Sequence, residues 1–421
     1  MRKIGVIFFL LIAFSINAQP DKYARTLIDS LCSERYHGRG YVNNGDVKAA
    51  LFIENEFKNI GLKPINNKYL QKFGFTINSF PGELTVKVDQ KILTPGKDYL
   101  VQLYSRSVKG IFKITQITKK DFINDRKMNK LLKRKLTDHF LLVDLSELDN
   151  NQKQKLQEEL FVYKEVAAGL ILLNDKKLIW GAGNYFSTLP IIEISKTAWI
   201  NGAKEIDLSI ESELIDNHET YNVFGQIPAE QLSDSFIVFT AHYDHLGRMG
   251  KDVIFPGAND NASGIALLLS LANKYKAIPN TKYNFLFIAF AGEEMGLLGS
   301  KYFVQNPVID IKKIKFLINL DLMGTGDEGI TVVNSTNNQK RFDSLVEINN
   351  NKKYLIAIKA RSNAPNSDHY PFTQKNVPAV FIYAMGGIQA YHDIYDRPET
   401  LPLTKFNEIY SLICDWVDTI K

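Results

Sequence analysis

The second half of the chain is organised by apolar runs that stop at charged residues. Phe285-Leu286-Phe287-Ile288-Ala289-Phe290 is followed, after Ala291 and Gly292, by Glu293-Glu294. Phe236–Thr240 leads through Ala241 into His242-Tyr243-Asp244, and Phe316–Leu320 leads into Asp321. Ala379–Tyr383 ends shortly before Tyr391-His392. Helix signals over Gly264–Tyr275, Gly296–Gln305, Gln339–Asn349 and Leu403–Ile420 alternate with these candidate strands. Such alternation predicts an α/β fold with a mixed, mainly parallel central sheet flanked by helices. In open α/β sheets, ligands bind outside the carboxyl ends of the strands. The four polar clusters, and a fifth at Gly257-Ala258-Asn259-Asp260-Asn261 just before a helix, are therefore expected on one rim.

The first half reads differently. Tyr23, Leu27, Ile28 and Leu31 recur at helical spacing, Gly38-Arg39-Gly40 breaks the pattern, and a second helix fits Asp46 to Asn59. Gly61 and Pro64 end that helix. From about residue 83 the texture changes: Leu84-Thr85-Val86-Lys87-Val88 alternates as a strand does. Leu141-Leu142-Val143, Gly169–Leu173 and Pro190–Ile194 read as short buried strands. Residues 83–208 are thus expected to form a smaller inserted α+β domain. Residues 19–82 and 209–421 would form the main one. Lysines and arginines crowd residues 109–135, but Asp121, Asp125 and Asp138 are interleaved, so a solvated face is the expectation.

Composition limits the function classes. Of the 421 residues, 45% are hydrophobic, enough for a sizeable core and against global disorder. The formal net charge of +5 includes Arg2 and Lys3, so without that segment the chain is near +3. That balance argues against nucleic acid as a partner. Residues 1–18 combine a basic start, an apolar stretch over Ile4–Ile16 and a small residue at Ala18, which predicts a signal peptide and export to the periplasm or the extracellular space. The apolar stretch is shorter than the roughly 20 residues of a spanning helix, and no later segment is long and apolar enough, so stable membrane insertion is not expected. Cys32 and Cys414 are the only cysteines: an exported protein can pair them, and the alternative is two buried free thiols.

Each polar cluster alone means little. A His near a strand end is commonly just hydrogen-bonded, adjacent glutamates are usually solvated, and Asn-Asp-Asn is most often a turn. Their convergence on one rim is another matter. Several carboxylates held together raise one another's pKa values, and a divalent cation relieves that repulsion. Mixed imidazole and carboxylate donors suit zinc and its neighbours. The donors are too many for one ion, and two ions sharing a bridging carboxylate fit better.

The motifs Ala241-His242-Tyr243-Asp244-His245-Leu246-Gly247, Gly257–Gly264, Gly292–Ser300, Asn319–Gly324, Ser367-Asp368-His369 and Tyr391–Asp396 closely resemble those of the M28 zinc peptidases, in order and in spacing. The first 80 residues resemble that family's N-terminal helices more loosely, and the insert is similar to a protease-associated domain. The resemblance implies a zinc exopeptidase, an aminopeptidase, with two zinc ions and peptide substrates. It implies Asp260 as the carboxylate shared by both ions, His242 and Asp321 as ligands of one, and Glu294 and His392 as ligands of the other. It further implies Glu293 as general base, Asp244 as the acid that orients His242, Tyr391 as an oxyanion donor, and a cis peptide at Asp260-Asn261. After His392 the family carries a small polar residue; Asp393 here puts an extra carboxylate near the expected substrate-facing surface. His245 and His369 read as supporting imidazoles rather than ligands. Rival readings are a glutaminyl cyclase, a carboxypeptidase or dipeptidase on the same scaffold, and a non-catalytic binding protein, although none of the expected ligands is missing.

Overall fold

The computed structural model describes residues 20–420, apart from 125, 128–129, 131–132, 164–165, 188 and 279–281. The expected signal peptide, residues 1–18, lies outside the described residues. Among these, no helix is long and apolar enough to cross a membrane.

The main sheet has eight strands: β1 (Leu70–Ser79), β2 (Glu213–Ile227), β3 (Phe236–His242), β4 (Asn284–Phe290), β5 (Ile314–Leu320), β6 (Ile330–Val333), β7 (Ile358–Arg361) and β8 (Ala379–Ala384). Their order is β1-β2-β4-β3-β5-β8-β6-β7. The centre, β4-β3-β5-β8, is parallel throughout, and antiparallel pairings flank it on both sides. Every residue of β3 and β4 is buried. Alternate residues serve opposite faces: Phe285, Phe287 and Ala289 join one core, and Leu286, Ile288 and Phe290 the other. A strand covered on both faces reads as a continuous apolar run, which is why the central strands are legible.

Helices α1 (Pro20–Leu31), α2 (Gly45–Ile60), α3 (Gly264–Ala277), α4 (Leu298–Gln305), α5 (Gln339–Lys352) and α6 (Phe406–Asp418) surround the sheet. Gly61 ends α2 at φ 87°, its N–H donating to the carbonyls of Phe57 and Lys58. Two helices begin later than periodicity predicts. Gly296 and Leu297 stand at φ 90° and 64°, and Leu403 at φ 54°, so those residues are turns rather than first helical turns. Cys32 and Cys414 are both free thiols.

A second eight-stranded sheet occupies the span between β1 and β2, from Leu84–Val88 to Glu205–Ile210. Its core includes Phe80, Tyr99, Phe140, Trp180 and Ile192, and also Leu246, Met249 and Phe255 from the segment after β3. The two units therefore share apolar packing.

Arg39 ties the N-terminal segment to the rim. It is fully buried, and its guanidinium donates to five carbonyls: Tyr243 at 2.7 Å, Pro256 at 2.6 Å, Gly257 at 2.7 Å, Leu31 at 3.3 Å and Asp260 at 3.3 Å. Gly40 beside it has no room for a side chain, since a Cβ there would stand 2.4 Å from the Cα of Gly247. A buried acceptor left without its donor costs about 1–3 kcal/mol. Arg39→Met, which orphans several at once, is expected to lower the unfolding free energy by at least about 3 kcal/mol, measured by urea denaturation. A loss under about 1 kcal/mol would show that water or rearrangement replaces the guanidinium.

Candidate metal centre

His242 is the last residue of β3, Asp321 directly follows β5, Glu293-Glu294 follow β4, and Asp260 sits on the loop entering α3. All lie at the carboxyl edge of the parallel strands. His242 Nε2 is 3.4 Å from Asp260 Oδ1 and 3.4 Å from Asp321 Oδ1. His392 Nε2 is 3.1 Å from Asp260 Oδ2 and 3.2 Å from Glu294 Oε2. Asp260 thus presents one oxygen to each imidazole. The Asp260–Asn261 peptide is cis, as the family resemblance implies.

Each imidazole has a fixed orientation. A carbonyl can only accept, so Nδ1 of His242 donates to the Asp244 carbonyl at 3.2 Å, and Nδ1 of His392 donates to the Trp180 carbonyl at 3.2 Å. In the metal-free protein Nε2 of each imidazole also carries a proton and donates to the carboxylates; only after losing it does Nε2 present a lone pair there. The Asp244 carboxylate is 3.8 Å from His242 and closer to other groups. It accepts from the backbone N–H of Glu293 at 3.2 Å and of Glu294 at 3.3 Å, and from the Tyr41 hydroxyl at 3.3 Å. Asp244 therefore braces the glutamate pair as well as His242.

The Asn-Asp-Asn turn is fastened on every side. Asn259 Oδ1 accepts from the Gly324 N–H at 2.8 Å, and Asn261 Oδ1 from those of Gly264 at 2.9 Å and Leu322 at 3.2 Å. Asp396 accepts from the N–H groups of Asn259 at 2.8 Å and Asp260 at 2.9 Å. Thr240 donates to Asn319, Asn319 to Ser367, and Ser367 to Asp321 Oδ2 at 3.0 Å. Sequence reasoning quoted Asp396 and Ser367 only within motifs and missed Thr240. Short polar residues near strand ends carry no periodic signal of their own.

His245 is buried and donates Nδ1 to Glu294 Oε1 at 2.8 Å. With Asp260 and Glu294 it forms one compact donor group, and His242, Asp260 and Asp321 form another. His369 lies apart from both, 3.2 Å from Asn363. Asp393, the departure from the family pattern, is buried and paired with Lys177 of the insert at 2.5 Å.

A cleft of about 240 Å³ opens onto this cluster. Its walls include Glu293, Leu322, Phe381, Tyr383, Tyr391 and Arg361, the last unremarked in the sequence. The Tyr391 ring stacks on His392, with centroids 4.0 Å apart.

The charges here answer to one another. Burial alone would lower the His242 imidazole, but Asp321 and Glu293 carry it well above its usual value. Burial likewise opposes protonation of His392, and Glu294 and Asp260 outweigh it, taking that imidazole to about 11. Burial pushes Glu294 up, yet His392 and His245 hold it at about 2. Burial raises Glu293 well above the carboxylate range, with Asp368 and Glu294 adding to the effect, and raises Asp244 to about 7. The donor set fits divalent cations. Donor atoms 3.4 Å apart suit ligands ~2.1 Å from a common ion at about 110°, near tetrahedral.

Residues 222–417 match the model of peptidase family M28. This segment belongs to that family. The chain is similar to the aminopeptidase YwaD of Bacillus subtilis, 27% identical over 50% of this chain and 46% of the relative. It is also similar to a probable leucine aminopeptidase of Arthroderma otae, 26% identical over 45% of this chain and 52% of the relative. The chain spans about half the length of the curated relatives it matches. A crystal structure of a zinc aminopeptidase from Bacillus subtilis shares the fold, with a TM-score of 0.70, 22% identity and 95% of each chain covered.

Metal binding to a cluster of this kind requires neutral imidazoles. His392 keeps its proton until the pH rises through about 11 in the metal-free protein. Loading metal-free protein with Zn²⁺ at pH 7 should therefore release protons, and affinity should climb with pH. Calorimetric titration in two buffers of different ionisation enthalpy measures this. Heats that do not depend on the buffer would mean that the imidazoles are already neutral.

Proposed function

We propose that the chain is a di-zinc exopeptidase that removes N-terminal residues from peptides, and that it acts after export directed by residues 1–18. The observation that carries the reading is the placement of Asp260 between two imidazoles, each of which also meets a second carboxylate. In this reading His242, Asp260 and Asp321 hold one ion, and Asp260, Glu294 and His392 hold the other, with His245 supporting Glu294 from behind. Two bound ions would supply an acidified water and a Lewis acid for the scissile carbonyl.

The protein's own groups do the rest. Glu293 lines the cleft, and burial among other acids raises its carboxyl group well above the ordinary range. A carboxylate so tuned accepts a proton more readily than an ordinary glutamate and can pass it to the departing amine. Tyr391 is its counterpart: burial and then Asp260 and Glu294 raise its phenol well above the usual value, so it stays a hydrogen-bond donor. A donor at the mouth of the cleft suits a developing oxyanion. Asp260 and Glu294 supply the negative potential that a substrate's free α-ammonium would meet, and Leu322, Phe381 and Tyr383 give its side chain apolar contact. The names of the similar Bacillus and Arthroderma proteins support the same activity.

Glu293→Gln should cut turnover by at least ~10²-fold with zinc content unchanged. The decisive assay is hydrolysis of aminoacyl peptides and of the same peptides with a blocked N-terminus. Release of the first residue from the free peptide alone supports the aminopeptidase. Cleavage of blocked peptides points to a carboxypeptidase or an endopeptidase. Loss of ammonia from an N-terminal glutamine without peptide cleavage points to a cyclase.

A further inference from the structure

The inserted unit reaches the metal centre at the loop of residues 389–395. Trp180 of the insert and His392 exchange two hydrogen bonds: the Trp180 N–H donates to the His392 carbonyl at 3.0 Å, and His392 Nδ1 donates to the Trp180 carbonyl at 3.2 Å. Three residues earlier, Lys177 reaches the same loop. Its ammonium donates to the carbonyls of Gln389 at 2.7 Å and Tyr391 at 3.1 Å, and pairs with Asp393 at 2.5 Å. Ile394 packs against the apolar core of the insert. The grip itself is anchored: Trp180 is 7% exposed, its indole N–H donates to the Val101 carbonyl at 2.8 Å, and its ring stacks on Phe255 at 4.6 Å.

His392 needs that grip. Its backbone stands at φ 51°, a conformation that non-glycine residues adopt only when the surroundings impose it. Nothing in the loop itself accepts its Nδ1 proton. The acceptor is the carbonyl of Trp180, which sets both tautomer and ring orientation. We propose that the insert is a component of the metal centre: Lys177 and the Trp180 backbone position His392, so that one of the two ions depends on the insert and the other does not. This rests on the di-zinc reading above. His242 takes its orienting carbonyl from Asp244, two residues away in the same loop, and Asp321 takes its hydroxyl partner from Ser367. Neither of these hydrogen bonds involves a described residue of 83–208.

Lys177 is a positioning residue and touches no metal donor. Its side chain is 40% exposed, whereas that of Asp393 is 5% exposed. Lys177→Met therefore leaves a buried carboxylate without its cation and releases the loop, without emptying a core. Groups that orient metal-bound imidazoles typically change metal affinity by about 10–100-fold. The experiment is zinc titration of the full chain against a competing chelator, with the visible spectrum of the cobalt form as a second readout. In Lys177→Met, one ion is expected to bind at least tenfold more weakly and the other to keep wild-type affinity. Lys177→Arg, which retains the cation, should restore most of the loss. Asp393→Asn breaks the same pair from the other side and should reproduce the one-ion defect, so a folding failure of either variant leaves the other to decide. Two ions held within twofold of wild-type affinity in both Lys177→Met and Asp393→Asn would overturn the proposal, as would equal weakening of both ions. A wild-type protein that binds fewer than two ions overturns the di-zinc reading instead, so the two failures are distinguishable.

Discussion

The carboxylate of Asp260 is the constraint on which this structure depends. Its two oxygens each meet a different imidazole, at 3.4 and 3.1 Å. For that to happen, β3, the loop entering α3 and a loop beyond β8 must all end within a few ångströms of one another. The parallel centre of the sheet does the coarse work, because it delivers β3, β4 and β5 to the same edge. The fine work falls to polar groups that are themselves immobilised. Asp396 holds the two amides at Asn259 and Asp260, the Arg39 guanidinium reaches the Asp260 carbonyl from below, and the flanking asparagines bind the loop after β5.

Such a cluster is a liability without compensation. Several acids lie together in largely buried space, and burial favours their neutral forms. In the metal-free protein, imidazolium groups carry part of the compensation: burial works against their charge, and the neighbouring acids win. Cations would take over that role, freeing the imidazoles to act as donors of electron pairs rather than protons. Burial dominates at Glu293, as at Asp244, and raises the proton affinity of both; among the described residues no imidazole stands against the Glu293 carboxyl group at ion-pair distance. One environment thus separates acids that hold charge from acids that can carry a proton.

Much of this was legible in the sequence, for reasons that can be named. β3, β4, β5 and β8 are covered on both faces, so their apolar runs are unbroken and the charges that end them stand out. The edge strands were harder to see. β7 is Ile358-Lys359-Ala360-Arg361, short and largely exposed, and β1 and β2 mix polar and apolar residues without clean alternation. The residues expected as metal donors were legible because His242, Glu294, Asp321 and His392 stand at or beyond strand ends and Asp260 just before a helix. Their supports were not: Thr240, Tyr41 and Trp180 act through a hydroxyl or a backbone carbonyl, and no spacing rule marks such atoms. The role of Asp393 was not legible for a related reason. Its carboxylate lies in a segment facing the cleft, but its partner Lys177 is more than 200 residues away in the chain.

That distance makes the two halves of the centre unlike in origin. His242 is oriented by a carbonyl of its own loop, and Asp321 by a hydroxyl chain that starts on β3 and ends at Ser367. These contacts lie within the main sheet and its loops. His392 is held at positive φ by contacts from a unit that must first build its own core around Trp180, Phe140 and Ile192 and then pack against Leu246, Met249 and Phe255. Loop closure over such separations adds little entropy cost beyond that of shorter loops, so the contact is stable once made. The contact exists only where both units are in place, since it joins Lys177 and Trp180 of one to the 389–395 loop of the other.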